Sequence, residues 1–174
     1  MKRKLIYIII ILFSLNSVSQ NIIYKGNKKF SATEQWEFEC SLEAGIGNLD
    51  VQIARNEIGG YLKLAIYSNG NWNYIGGNIS VFLEDGTIIN CVDKKIRDEV
   101  DGKSIALYSF TNSEMEKLKE LDILKIRFII KAKPGVYGSN AGNFTAKNVK
   151  SKSFLNEETE YFDTSESVKL LYEE

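Results

Sequence analysis

The chemistry open to this chain is limited by two residue types, because its 174 residues include no histidine and only two cysteines. The absence of histidine excludes the Ser-His-Asp triad, the Cys-His dyad and histidine-ligated zinc sites. Two cysteines cannot supply the four thiolates of an all-cysteine zinc site. Catalysis would depend on carboxylates, lysine, tyrosine or a Ser-Lys pair. We predict no catalytic residue, no metal and no cofactor.

Aromatic and amide side chains converge on one turn and form the first candidate site. It consists of Tyr67, Trp72, Tyr74, Asn69 and Asn71. An aromatic ring can cover the apolar C–H face of a sugar, and amides can hydrogen-bond to its hydroxyl groups. These residues therefore indicate a glycan- or partner-binding surface. The alternative is that Trp72 and Tyr74 pack on the core or cap its edge, as large aromatic side chains commonly do.

Paired carboxylates form a second candidate site. Glu37 and Glu39 lie two residues apart on a predicted strand, so their side chains face the same way. Two carboxylates can perform glycoside hydrolysis, but such a pair normally comes from different strands across a cleft, with one member desolvated. The alternative is that Glu37 and Glu39 belong to a solvated strand face.

A third candidate is a group of acidic residues within one segment. It consists of Asp93, Asp98, Glu99 and Asp101. Ca²⁺ takes about six to eight oxygen ligands, which a loop rich in carboxylates can supply. The spacing differs from that of an EF-hand, and the four basic residues interleaved with the acids favour a solvated loop of mixed charge.

Two interpretations of Cys40 and Cys91 are open. In an oxidising compartment they can form one disulfide that closes a long loop. They can also be two buried thiols that pack as small apolar residues. The distance between them decides, and the sequence does not give that distance.

The N-terminal residues have the pattern of a secretory signal peptide. A basic patch at residues 2–4 precedes an apolar run at residues 5–15, and Ser17 and Ser19 occupy the small-residue positions before a cleavage site. The run is about half the roughly 20 residues that a membrane-spanning helix needs. The pattern predicts cleavage before Gln20, export to the periplasm or beyond, and no membrane span afterwards; an uncleaved anchor is the alternative.

Removal of residues 1–19 leaves a chain of 155 residues with 19 basic and 23 acidic side chains. This length predicts one β-rich domain at residues 34–174, preceded by a leading segment at residues 20–33. The net negative charge and the scattered basic residues lack the electrostatic pattern of a nucleic-acid-binding protein. We therefore expect no nucleic-acid partner.

Alternation of apolar and polar residues with a period of two predicts several short strands. The apolar positions predict a core of Trp36, Phe38, Leu49, Val51, Leu62, Leu64, Ile66, Val81, Leu83, Ile126 and Phe128. Thr111 and Glu114 form a capping box that predicts one short helix over residues 112–121, and Asp163 can cap a last one. Six to eight strands with frequent turns predict a mainly β protein, an antiparallel β-sandwich or barrel with one inserted helix and a short C-terminal helix.

Three segments, residues 75–87, 93–102 and 111–128, contain a distinctive series of features. In order, these are a strand, an Asp-Gly hairpin, a strand with a cysteine, a charged Arg-Asp loop, a Thr-Asn-Ser-Glu helix start and an Ile-Arg-Phe strand. The series resembles a group of small, uncharacterised exported bacterial proteins. The resemblance implies export and a mostly β fold, and it implies no activity, cofactor or catalytic residue.

Together these features predict an exported, non-enzymatic domain that binds a ligand or partner, either a glycan or a protein of the cell envelope. One alternative is a small glycan hydrolase that uses carboxylates. Another is a structural or assembly component of the envelope.

Overall fold

A computed structural model of the protein describes residues 21–40, 47–68, 72–135, 141–152 and 158–173. These residues form fourteen strands and two helices. The strands are β1 (Asn21–Lys25), β2 (Lys28–Ala32), β3 (Trp36–Cys40), β4 (Leu49–Asn56), β5 (Gly59–Tyr67), β6 (Asn73–Ile75), β7 (Ile79–Leu83), β8 (Ile88–Cys91), β9 (Ile96–Val100), β10 (Lys103–Thr111), β11 (Ile123–Ala132), β12 (Gly142–Lys147), β13 (Ser151–Lys152) and β14 (Thr159–Glu160). The helices are α1 (Asn112–Glu120) and α2 (Thr164–Leu170).

Most strands join one antiparallel sheet, in the order β8-β7-β11-β12-β3-β4-β5-β10-β9. The sheet curls into a half-barrel, which confirms the mainly β prediction with its two short helices. The inner face carries the alternating apolar residues, and every residue of the predicted core is at most 1% exposed. Period-two alternation identified these positions because one face of each strand is buried.

The N-terminal hairpin of β1 and β2 covers part of the sheet's outer face. Ile23 and Ala32 of the hairpin pack with Ala54 of β4 and Leu107 of β10, which forms a second, smaller apolar cluster. Together with the hydrogen bond of Gln52 to Thr33 and the ion pair of Asp50 with Lys103, this cover explains why β4 is buried on both faces from Leu49 to Ala54. The sequence placed the outer residues of β4 in solvent, because alternation within one strand cannot show what packs above it.

The charged segment after β8 differs from the prediction of a loop. It contains β9, which pairs antiparallel with β10 in a hairpin. Asp101 and Gly102 connect the two strands with φ angles of 51° and 72°. Two consecutive positive φ angles are typical of the tight turns that link paired strands, and Asp-Gly tolerates them. The fourteen strands also exceed the predicted six to eight, since several pair over only a few residues.

The predicted helix begins as expected, with Thr111 and Glu114 forming a complete capping box at α1. Asp163 caps α2 by accepting a hydrogen bond from the backbone of Glu166. Both helices pack on the half-barrel through buried side chains such as Met115 and Val168. In the part of the chain that the structure describes, neither helix is long and apolar enough to cross a bilayer.

Cys40 and Cys91 are buried free thiols in this structure, as in the second of the two interpretations. Burial raises the pKa of Cys40 to about 11 and that of Cys91 to about 12. Thiols with such pKa values stay protonated near neutral pH and react slowly as nucleophiles. The two cysteines therefore act as small apolar core residues.

Candidate functional site

The turn after β5 presents two exposed aromatic side chains. Tyr67, the last residue of β5, is 61% exposed, and Trp72, just before β6, is 49% exposed. Tyr74 is half-buried within β6. Trp72 is therefore not buried in the core, and the alternative that it caps the edge of the core stays a prediction. Asn69 and Asn71, the two amides of the predicted surface, lie outside the described residues.

Backbone hydrogen bonds hold both ends of this turn. The Ser68 N–H donates to the carbonyl of Gly102 over 3.0 Å, and the Lys133 N–H donates to the carbonyl of Trp72 over 2.9 Å. The first bond ties the turn to the β9–β10 hairpin, and the second ties it to the end of β11. Trp72 is thus presented to solvent from a backbone position that two neighbouring elements fix.

The three aromatic rings do not stack on one another, since no ring contact among the described residues joins them. Instead, a cation lies over two of them. Lys103 Nζ is 4.7 Å from the centroid of the Tyr67 ring, and the Arg97 guanidinium is 5.3 Å from that of Tyr74. Trp72 has no such cation among the described residues, so no cation covers a face of its ring.

The half-barrel has a gap between β6 and the β9–β10 hairpin, which we call the seam. A concavity of about 410 Å³ lies there. Its lining includes Asn73, Tyr74, Arg97, Glu99, Ser104 and Lys133. Asn73 is only 6% exposed, and its amide oxygen finds no hydrogen-bond partner within the described structure. A buried acceptor without a partner costs about 1–3 kcal/mol. This oxygen has essentially no exposed surface, so it does not face a ligand in the concavity.

Arg97 bridges the seam. Its Nε donates to the carbonyl of Ile75 in β6 over 2.9 Å, and its guanidinium pairs with Asp93. Gly76 permits this approach, because a Cβ there would lie 3.2 Å from the Arg97 guanidinium and 3.0 Å from the ring of Tyr74. The side chain of Arg97 therefore has a structural role that does not depend on a ligand.

Asp93 holds the backbone next to the seam in place. Its carboxylate accepts hydrogen bonds from the backbone N–H groups of Gly77 and Lys95, each over 2.7 Å, in addition to its pair with Arg97. Partial burial opposes ionisation, but these hydrogen bonds and the Arg97 charge together lower the pKa of Asp93. The buried Tyr108 hydroxyl donates to the carbonyl of Gly77 over 3.0 Å and completes the junction.

A second ion pair lies on the outer face near Tyr67. Lys103 Nζ donates to the carboxylate of Asp50 over 2.6 Å, which raises the pKa of Lys103. Asp50 is only 7% exposed. Burial lowers the pKa of the neighbouring Lys63, whose Nζ is 3.4 Å from the amide oxygen of Gln52. Asp50 and Lys103 therefore form a paired, largely desolvated contact that positions Tyr67.

The other predicted carboxylate sites are dispersed or occupied. Glu39 is bonded to Lys152 over 2.5 Å, and Glu37 is the cross-strand neighbour of Asp50. Of the four acids proposed for Ca²⁺, Asp93 pairs with Arg97 and Glu99 lies 3.4 Å from Lys133. Among the described residues, no group of three or more acidic or cysteine side chains is placed to hold a metal ion.

Sequence reasoning missed the seam residues Asn73, Ser104 and Lys133 as a group. They come from β6, β10 and the end of β11, and their proximity depends on the curl of the sheet. The only local signal was the amide-rich composition of the turn before β6. No periodicity in the sequence links a residue of β6 to one of β10.

Comparison of the chain with models of known families, with curated proteins and with solved structures finds no match. The function must therefore be argued from the geometry of the molecule itself.

Proposed function

We propose that this chain is an exported, non-enzymatic domain that binds a glycan through Trp72 and the adjoining seam concavity. The observation that carries the proposal is the exposed Trp72 ring, which directly precedes the residues of β6 that line the seam concavity. The ring can cover one face of a sugar, and the polar side chains of the concavity, Tyr74, Ser104 and Lys133, can hydrogen-bond to its hydroxyl groups. Neither contact requires a titrating group, so a chain without histidine can make both.

The two alternatives have less support. A hydrolase needs a desolvated carboxylate beside an ionised one, whereas Glu39 is neutralised by its bond to Lys152. An assembly component that adds strands needs a long, unpaired edge. The described sheet has edges at β8, with four residues, at β9, with five residues that include Arg97, Asp98 and Glu99, and at β1, with five residues that end in Lys25. Short, charged edge strands disfavour pairing with another chain.

Export rests on the signal-peptide pattern of residues 1–19. We expect the exported protein to begin at Gln20, which N-terminal sequencing or the intact mass of protein from the producing cell will show. A product that retains Met1 in the membrane fraction would contradict cleavage and indicate an anchor.

The binding proposal is tested with Trp72→Ala on a panel of immobilised neutral and charged glycans. We expect the wild type to bind at least one glycan, and the variant to bind it about tenfold more weakly, since base or sugar stacking on an aromatic ring contributes on the order of 1–3 kcal/mol. Thermal unfolding of the two proteins should agree, because Trp72 is exposed.

Ile58→Ala is the matched control, because Ile58 is 80% exposed and lies in the turn before β5, at the opposite end of that strand from Tyr67. Its binding should equal that of the wild type. The proposal fails if the wild type retains no glycan, or if Trp72→Ala binds as well as Ile58→Ala.

A further inference from the structure

One outer face of the half-barrel carries charge of a single sign. On β8, β7, β11 and β12, the side chains that alternate with the core residues include no acidic residue. Four of them are basic, and we call these four the basic face: Lys125, Arg127 and Lys131 of β11, and Lys147 of β12. The rest of the molecule is more acidic, since acidic residues outnumber basic ones over the whole chain.

The cations of the basic face form no ion pair with any described residue. Lys125 and Lys147 are direct cross-strand partners, so two like charges lie opposite each other. Such an arrangement is destabilising in a sheet. The nearest acid by register, Glu39 opposite Lys147, is bonded to Lys152 instead. Lys125 and Arg127 both approach the ring of Phe82, at 4.9 Å and 5.5 Å, which orders their side chains without neutralising them.

A groove of about 780 Å³ adjoins these cations. Lys125, Lys147 and Lys152 line it together with Thr145, Asn143 and Tyr161. Glu39 lines it as well and is bonded to Lys152. A β-bulge in β11 between Ile123 and Lys125 turns Leu124 toward solvent, where it is 47% exposed and also lines the groove. The groove thus combines three cations and one carboxylate with hydroxyl and amide groups and with apolar surface.

We propose that the basic face and this groove bind a glycan that carries carboxylate groups. The proposal goes beyond the proposed function, because it places the contact on β11 and β12 and not at Trp72. The argument is charge complementarity. The four cations of the basic face form no ion pair with a described residue, so an anionic ligand would neutralise them. The hydroxyl and amide groups of the groove suit the uncharged hydroxyls between the carboxylates.

Other anionic polymers fit less well. Double-stranded nucleic acid and heavily sulfated glycans carry a denser charge, and the net negative charge of this protein would repel them more strongly than a sparsely charged chain. The guanidinium of Arg127 can pair with a carboxylate through two parallel hydrogen bonds, as it can with a phosphate. Four cations spread over two strands therefore suit a ligand in which carboxylates alternate with neutral polar groups.

The experiment measures binding to polygalacturonate, with dextran, dextran sulfate and single-stranded DNA as comparison ligands. The test variant is Lys125→Gln/Lys147→Gln. The control is Lys28→Gln/Lys29→Gln, which removes the same charge from exposed residues of β2, on the N-terminal hairpin. We expect polygalacturonate to bind the wild type and the control equally, and the test variant about tenfold or more weakly. Binding should weaken as salt is raised.

Each other outcome overturns the proposal. No binding of polygalacturonate to the wild type would refute it, as would equal losses in the two double variants, which would indicate a response to net charge alone. Tighter binding of dextran sulfate or DNA would assign the face to a different polymer.

Trp72→Ala separates the two proposals. If it keeps polygalacturonate binding while the lysine variant loses it, the Trp72 surface fails and the basic face stands. If the wild type binds only neutral glycans through Trp72, the reverse holds.

Discussion

The cations around the seam form ion pairs with acidic side chains, whereas those of the basic face form none with the described residues. At and near the seam, Arg97 is paired with Asp93, and Lys103 is paired with Asp50. On the basic face, Lys125 and Lys147 oppose each other, and Glu39, the acid in register with Lys147, is bonded to Lys152 instead. The seam cations are therefore part of the structure, whereas those of the basic face remain available to a ligand. Residue type alone does not distinguish these roles; the partner on the neighbouring strand does.

The largest expected effect comes from removing a seam cation. Lys103→Gln leaves the carboxylate of Asp50, only 7% exposed, without its cation. Breaking a buried ion pair by removing one partner is strongly destabilising, and partial exposure of Lys103 reduces the cost to about 1–3 kcal/mol. Urea denaturation at neutral pH measures this change in the free energy of unfolding.

The matched control is the same substitution on the basic face. Lys125→Gln should change the free energy of unfolding by less than about 0.5 kcal/mol, as is usual for surface positions. Equal losses in the two variants would show that the seam and the basic face do not differ in this way.

A smaller and pH-dependent effect is expected at Asp93. The folded-state pKa of Asp93 is below its ordinary value, so ionised Asp93 stabilises the fold at pH values above the unfolded pKa of about 3.9. This contribution is lost as the pH falls through the lower, folded-state pKa. Asp93→Asn should therefore cost about 1–2 kcal/mol at pH 7, and the difference from the wild type should shrink in acid.

Free energies of unfolding at pH 7 and pH 3 test this expectation. Glu120→Gln is the control, because Glu120 is an exposed residue at the end of α1. It should show little difference from the wild type at pH 7. A deficit in Asp93→Asn that is as large at pH 3 as at pH 7 would mean that the carboxylate charge is not what stabilises the junction at Gly77.

Much of the fold could be predicted from the sequence, but the site could be predicted only in part. Residues such as Leu64 and Phe128 were identified as core because burial of one strand face leaves a period of two in the sequence. The same reasoning failed for β4, whose outer face is covered by the N-terminal hairpin. Asn73 was missed because its role depends on strands that are distant in sequence.

The charge pattern of β11 could likewise be predicted only in part from the sequence. Alternation on β11 predicts that Lys125 and Arg127 share an outer face, since this is a local property. The position of Lys147 opposite Lys125 depends on the register between β11 and β12. The bond of Glu39 to Lys152 depends on β13, which is distant from β3 in the sequence. The sequence therefore indicates a basic strand, and only the assembled sheet shows that its charge is unpaired.

The smallest expected effect has the opposite sign. Lys147→Gln removes the repulsion between two cross-strand lysines, so it should stabilise the protein by about 0.2–0.5 kcal/mol at low ionic strength. Salt screens interactions between exposed charges, so the gain should disappear in about 1 M NaCl. Thermal or urea unfolding at the two salt concentrations measures it, with Lys28→Gln as the control for a general loss of positive charge. A loss of stability in Lys147→Gln at low salt would show that the lysine stabilises the fold. It would contradict the inference that the charge of the basic face is free to bind a ligand. A gain, together with weaker binding of polygalacturonate by the same variant, would show that the sheet tolerates a repulsive pair because an anionic ligand relieves it.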